Sequence, residues 1–191
     1  MRTIQEQLSR ISKTLIFSEP FYGIFLIGLQ KSFSKELPTA GVGKHGIGMR
    51  LVINPDFFGD LSEFHQQGLL KHELLHIAFG HIILADKYPN KQLFNIAADI
   101  EINQYIDSNM LPEGGLTRNS FPGIHLPRKA GTKVYYDLLS EECDGEGGSC
   151  SVAAGSGLAG RACTWWYHWR YLSRPSGFSN GSMMTRQSSR I

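Results

Sequence analysis

The spacing of apolar residues along the first third of the chain predicts two helices and a hairpin. Residues 1–16 place an apolar side chain at every third or fourth position, which predicts an amphipathic helix. The apolar run 21–33 follows a Ser-Glu-Pro helix-start signal and predicts a mostly buried helix, with a strand as the alternative. Residues 38–42 and 49–53 flank a glycine-rich stretch and predict a β-hairpin.

The rest of the patterned sequence predicts three more helices. Ser62 is a candidate N-cap for a long helix over about 62–85, and a Pro-Asn pair separates it from a second long helix over about 91–108. Residues 110–130 are rich in Pro and Gly and predict a loop, and residues 132–139 predict a last helix. The expected fold class is α+β, with two long helices packed on a small antiparallel sheet.

Composition changes abruptly near residues 142–150. Residues 1–150 contain 14 Lys and Arg against 17 Asp and Glu, whereas residues 151–191 contain five Arg and no Lys, Asp or Glu. All three Trp and eight Ser also lie in that second segment. We therefore expect a folded domain over 1–142 and a low-complexity tail over 143–191 that is either disordered or the product of an aberrant reading frame.

The cysteines of the chain all lie in this predicted tail. Cys143, Cys150 and Cys163 are odd in number and no secretion signal accompanies them, so a disulfide framework is disfavoured. With His168 they offer a Cys3His zinc site, but their spacing fits no short finger pattern. Unpaired thiols are the preferred interpretation.

Hydropathy and charge also bear on membranes and nucleic acids. The longest apolar stretch, 21–29, is too short to span a bilayer, and the N-terminus lacks a signal-peptide core, so a cytoplasmic protein without membrane contact is expected. The five Arg and three Trp of the tail could contact phosphate and stack on bases. No nucleic-acid-binding fold accompanies them, so nucleic-acid binding is disfavoured.

The segment 71–81, KHELLHIAFGH, carries the chemistry of the chain. His72, Glu73 and His76 form the pattern H-E-x-x-H within a predicted helix. At about 100° per residue, the two histidines lie about 40° apart around the helix axis and one turn apart along it, so both rings can bind one zinc ion. Glu73 is the expected general base, placed to take a proton from metal-bound water. A helix with incidental histidines is the alternative, but polar side chains that face a core need partners.

A catalytic zinc site usually has a third protein ligand, and Asp99 is preferred here. Asn95, Asp99 and Asn103 form a polar stripe at positions i, i+4 and i+8 of an otherwise apolar predicted helix. A buried polar stripe is unfavourable unless it serves a partner. Glu101 lies about 200° from Asp99 around the helix axis and is expected to face away from the metal.

His81 is the competing third ligand. It follows His76 by five residues, and in a continuous helix it would point about 140° away from it. It could coordinate only if Gly80 breaks the helix. We expect a packing or supporting role for His81 and leave its coordination open.

At these residues the sequence resembles a known family. HELLHIAFGH followed by FNIAADIEIN resembles the metallopeptidase domain that precedes a von Willebrand A-like domain in longer bacterial proteins. The resemblance covers roughly residues 15–142 and pairs the H-E-x-x-H helix with an A-A-D-x-x-x-N helix. It implies a zincin-like α+β fold, a cytoplasmic location and occurrence in bacteria and their phages. The matching residues of the second helix are Ala97, Ala98, Asp99 and Asn103.

Two functions from different classes follow. The first is a zinc-dependent hydrolase, a peptidase, whose strand 49–53 would pair with an extended peptide or protein substrate. Tyr135 or Tyr136 is a candidate hydrogen-bond donor to the oxyanion, with core packing as the alternative. The second is a metal-stabilised regulatory or interaction module with little turnover, acting beside a partner ATPase, a von Willebrand A-like protein or a phage assembly. The intact Glu73 favours the first, because a purely structural zinc site usually closes with four ligands and needs no base.

Overall fold

A computed structural model describes residues 3–145 and shows an α+β fold, which confirms the expected class. The predicted tail and its cysteines, together with His168, lie outside the residues whose side chains are described. Single 3-10 turns follow α5 and α6, and two more lie at Ser108–Met110 and Arg118–Ser120. No helix over residues 3–145 is long and apolar enough to cross a membrane. In chain order the helices and strands are α1 (Ile4–Ser18), α2 (Pro20–Gly28), β1 (Gln30–Phe33), β2 (Ala40–His45), β3 (Gly48–Ile53), α3 (Pro55–Asp60), α4 (Glu63–Ala78), α5 (His81–Leu84), α6 (Lys91–Ile102) and α7 (Thr132–Gly145).

The three strands form a mixed sheet in the order β1-β3-β2. The predicted hairpin is present, since β2 and β3 pair antiparallel and a two-residue turn at 46–47 joins them. The expectation of a wholly antiparallel sheet is wrong, because β1 pairs parallel to β3. The expectation that residues 49–53 pair with substrate is also wrong, because β3 is the central strand and both of its edges are already hydrogen-bonded within the sheet.

The apolar run 21–33 is divided between α2 and β1, so the expectation of one buried helix is wrong. Only Gly23 and Leu26 are buried in α2. Phe21, Ile24 and Ile27 recur every three residues and stay more than half exposed, because this spacing places them on the outward face of a short helix. Length and flanking signals, rather than apolar content, decide between helix and strand in such a run.

Buried apolar side chains form two main clusters. The first core packs α1, α2 and α4 against the sheet, with Leu15, Leu51 and Leu70 among its fully buried members. The second core packs α6 against α7, with Phe94 and Tyr135 at its centre. A small third cluster of Leu75, Ile102 and Ile106 joins α4 to the end of α6. The sheet therefore belongs to the first core only.

The two long helices are shorter than expected. Ser62 caps α4, as predicted, and accepts a hydrogen bond from the backbone N–H of His65 at 3.2 Å. The expected helix 62–85 is broken at Gly80, which has φ +72° in the left-handed region, and the chain restarts as α5. The expected helix 91–108 ends at Ile102 in a 3-10 turn. The break at Gly80 matters for the site, because His81 follows it directly.

Candidate metal centre

His72 and His76 lie one turn apart on α4, and their Nε2 atoms are 3.1 Å apart. Asp99 reaches the same point from α6, with its Oδ1 at 3.5 Å from the Nε2 of His72 and at 3.2 Å from that of His76. The structure therefore brings together the three side chains that were predicted as metal ligands. Among the described residues, ligand atoms of these three side chains lie within 4.8 Å of one another, the arrangement that a metal ion requires.

Asn103 determines which nitrogen of His72 faces this cluster. The side-chain nitrogen of Asn103 donates to the carbonyl of Leu116 at 2.7 Å, so its oxygen points to the ring of His72. The Nδ1 of His72 donates to that oxygen at 2.8 Å, and in a neutral ring the Nε2 then carries the lone pair. Asn103 is the last residue of the A-A-D-x-x-x-N pattern, and its contact explains why an amide stands one turn after Asp99.

The donor set fits a divalent transition-metal ion. Two ligands held about 2.0–2.1 Å from a tetrahedral zinc ion lie about 3.3 Å from each other. The three separations measured here, 3.1, 3.2 and 3.5 Å, bracket that value. Imidazole nitrogen and carboxylate oxygen are also the donors of many catalytic zinc sites, in which three protein ligands leave one position open. His72, His76 and Asp99 can therefore hold such an ion.

The cluster is reached from one side. The side chain of His72 is 3% exposed, whereas those of His76 and Asp99 are 13% and 12% exposed. Glu73, the predicted base, is fully buried on α4. The cluster therefore opens to solvent on the side of His76 and Asp99, and the Glu73 carboxylate is shielded from bulk water.

His81 lies beside this cluster without joining it. Its Nδ1 is 3.0 Å from the Nδ1 of His76, on the side of that ring that faces away from Asp99. Its Nε2 is 3.3 Å from Glu101 and 2.9 Å from the hydroxyl of Thr132. The helix does break at Gly80, yet His81 contacts the second histidine of the motif rather than the point where the three ligands meet.

Glu101 is turned away from Asp99, as expected from helix geometry, but it does not face solvent. Its carboxylate accepts the backbone N–H of Thr132 at 2.7 Å, and the Thr132 hydroxyl is also in very close contact with it. Burial disfavours the charge of this carboxylate, but the hydrogen bonds from His81 and Thr132 outweigh that effect and hold the pKa of Glu101 below its ordinary value. Sequence reasoning missed the contact with Thr132, because the residue lies 31 positions away on another helix.

The two candidate oxyanion donors lie in the second core. The hydroxyl of Tyr135 donates to the carbonyl of Pro127 at 2.7 Å and accepts from the N–H of Ala130 at 3.1 Å. The hydroxyl of Tyr136 accepts from the N–H of Asn90 at 3.3 Å. Both side chains are buried in the second core, so they pack there, as the alternative to an oxyanion-donor role predicted.

One comparison with known proteins gives a match. A family model described as "Putative metallopeptidase domain" matches residues 4–163. The match extends beyond the range 15–142 at both ends and includes Cys143, Cys150 and Cys163. Neither the curated proteins nor the solved structures contain a match to the chain.

Proposed function

The chain belongs to the family described as Putative metallopeptidase domain, as its motifs predicted, and from this premise we propose that it is a zinc-dependent peptidase. The family and the cluster of two histidines and one aspartate support a metal ion and a hydrolase. The proposal adds three points: the ion is zinc, α4 packs against the sheet in a zincin-like arrangement, and the bond that is cleaved is an amide.

One observation carries the proposal: three electron-donating atoms on two helices meet at 3.1–3.5 Å. Two imidazole nitrogens and a carboxylate oxygen at this separation are favourable when a cation lies between them. Three ligands, rather than four, meet among the side chains described over residues 3–142, and an open position is typical of a catalytic site.

In the proposed reaction, His72, His76 and Asp99 hold the ion and Glu73 handles the proton. A bound zinc ion polarises a carbonyl group and lowers the pKa of water, which supplies the Lewis-acid part of the chemistry. A carboxylate oxygen of Glu73 accepts a proton from the attacking water and donates it to the leaving amide nitrogen as the C–N bond breaks. Glu73 is fully buried, so this step requires its carboxylate to become accessible to the one water molecule that attacks.

The same burial favours a second function, the metal-stabilised module with little turnover. A base that water cannot reach does not act, so a Glu73 that stays fully buried would serve packing rather than catalysis. The predicted partners of such a module, an ATPase or a von Willebrand A-like protein, and the cytoplasmic location stay proposals.

Metal analysis beside a broad screen of fluorogenic peptides separates the two functions. We expect Glu73→Gln to keep the metal and to lower kcat/KM by about 10²–10⁴-fold, because a general base is removed but no ligand is. Glu63→Gln on the exposed start of α4 is the matched control and should leave both quantities unchanged. His72→Ala and His76→Ala should lose the metal and the activity together. A wild-type protein that holds zinc but cleaves no faster than Glu73→Gln would contradict the peptidase and support the module.

A further inference from the structure

Both ring nitrogens of His81 are engaged inside the protein, and the ring is 3% exposed. Its Nδ1 faces the Nδ1 of His76 at 3.0 Å, and its Nε2 faces Glu101 at 3.3 Å. Glu101 is in turn held by the first residue of α7, whose backbone N–H donates to its carboxylate at 2.7 Å. A continuous chain of contacts therefore runs from the start of α7 through Glu101 and His81 to His76.

The direction of these hydrogen bonds follows from the carboxylate. Glu101 can only accept, so the single hydrogen of the Thr132 hydroxyl goes to it, and the hydroxyl oxygen is left as an acceptor facing His81. The Nε2 of His81, which faces both of these acceptors, must therefore carry a hydrogen. A neutral His81 with hydrogen on Nε2 has its lone pair on Nδ1. The short contact between the two Nδ1 atoms then requires the Nδ1 of His76 to donate, and the Nε2 of His76 keeps its lone pair toward Asp99.

We propose that His81, held by Glu101 and Thr132, is a positioning residue that fixes His76 in the tautomer with a free Nε2 lone pair. This inference rests on the proposed metal site, since it concerns how one of the ligands is prepared. The two histidines of the motif are held in the same tautomer by different hydrogen-bond partners. His72 donates to a single amide oxygen, and His76 donates to another histidine that a carboxylate orients.

The break at Gly80 makes this arrangement possible. In a continuous helix, the fifth residue after His76 would point about 140° away from it. The left-handed conformation of Gly80, at φ +72°, ends α4 and redirects the chain, so that His81 begins α5 in contact with the His76 ring. His81 therefore lies beside the proposed ligands without being one of them. Its Nδ1 accepts a hydrogen bond from His76 instead of binding the metal.

A first test needs no substitution. Two-dimensional spectra that correlate ring nitrogens with ring protons distinguish the two neutral tautomers of each histidine. We expect the zinc-bound wild-type protein to carry hydrogen on Nε2 of His81 and on Nδ1 of His76. Hydrogen on Nδ1 of His81 would overturn the proposal, because His76 would then have to accept at Nδ1.

A second test measures zinc affinity by competition with a chromophoric chelator. His81→Leu should weaken zinc binding by about 10–100-fold, the usual effect of losing a partner of a metal-bound histidine. His81→Asn offers a side-chain oxygen near the position of Nδ1 and should recover most of that loss. His125→Leu, at an exposed histidine that is not part of the cluster, is the matched control and should bind zinc as the wild type does.

The outcomes separate this proposal from the function on which it rests. A wild-type protein that takes up no zinc would overturn both. Normal zinc uptake with an unchanged affinity in His81→Leu would overturn the positioning role alone. A weaker His81→Leu that His81→Asn does not rescue would show that His81 acts through packing, which also overturns it.

Discussion

The two cores of the molecule are apolar, whereas the seam between them, the region where α4 meets α6 and the 3-10 turn at 108–110, also buries polar side chains. Each core contains a continuous set of buried apolar side chains. In the seam, the buried apolar cluster consists of Leu75, Ile102 and Ile106, and beside it lie the histidines and carboxylates of the candidate metal centre. Buried polar groups stabilise an interface only when they are fully partnered, so the cohesion of this seam depends on what the polar cluster binds.

The proposed ligands divide in the same way. His72 and His76 belong to α4, which packs in the first core, whereas Asp99 belongs to α6, which packs in the second. A bound ion would therefore link the two cores directly. With the proposed ligands, metal binding would stabilise the seam, and substitutions inside a core should leave metal binding unchanged.

The largest effect is expected from breaking the seam itself with Gly68→Ala. A Cβ atom at Gly68 would lie 1.9 Å from the carbonyl oxygen of Met110 and 2.6 Å from its carbon, so α4 and the 3-10 turn could not keep their distance. We expect the free energy of unfolding to fall by about 4 kcal/mol or more in urea denaturation, the range of exceptional single substitutions.

Gly28→Ala at the exposed end of α2 is the matched control, since its Cβ would meet nothing within 4 Å. It should change stability by no more than about 1 kcal/mol. Similar losses in the two variants would show that the close approach at Gly68 does not hold the seam together.

A smaller effect is expected from Asp99→Ala, which removes the only proposed ligand of the second core. In the wild type, zinc at one hundred times its dissociation constant should raise the free energy of unfolding by about 2.7 kcal/mol. Asp99→Ala should lose most of this metal-dependent gain, and Asp99→Glu should keep part of it, because an oxygen is still offered from a shifted position. Thermal unfolding with and without zinc measures the gain.

Asp60→Ala, at an exposed position on α3, should keep the full gain from zinc. If Asp99→Ala kept it as well, the ion would not link the two cores and the third ligand would have to be another residue.

The smallest effect is expected from Tyr135→Phe, which perturbs the second core alone. The hydroxyl of Tyr135 bonds with the carbonyl of Pro127 and also accepts from the side chain of Gln104 at 2.9 Å. Its removal takes hydrogen bonds from part-buried groups and should lower the free energy of unfolding by about 1 kcal/mol. Zinc affinity should stay at the wild-type value, and Tyr105→Phe at an exposed position should change neither quantity. A loss of zinc affinity in Tyr135→Phe would show that the second core and the metal centre are not separable.

Helix periodicity was enough to predict the three proposed ligands from the sequence. One turn separates His72 from His76, and the stripe through Asp99 and Asn103 faces them in the structure. These relations are local, because each depends on residues within one helix and on the choice of which faces are buried. The Ser62 cap and the hairpin were also predictable, because each depends on residues close together in the sequence. The α+β class follows from the presence of such helices and strands.

The relations that the sequence did not reveal are all non-local or depend on a single backbone angle. The parallel pairing of β1 with β3 joins segments twenty residues apart, as in the pair Gln30 and Arg50, and no pattern in either strand specifies it. The contact between Glu101 and Thr132 depends on how α7 packs on α6. The placement of His81 depends on the conformation of Gly80, which the helical pattern around it does not reveal.

The conformation of Gly80 also gives the site a dependence on chirality. A Cβ atom in the L configuration would meet nothing within 4 Å at this position, so no neighbouring atom excludes a side chain there. The obstacle is the backbone angle of +72°, which costs an L residue about 1–2 kcal/mol and which a D residue adopts as its own helical conformation. A semisynthetic protein with D-alanine at this position would therefore favour the positive φ that brings His81 to His76. L-alanine would instead favour a negative φ, which continues the helix.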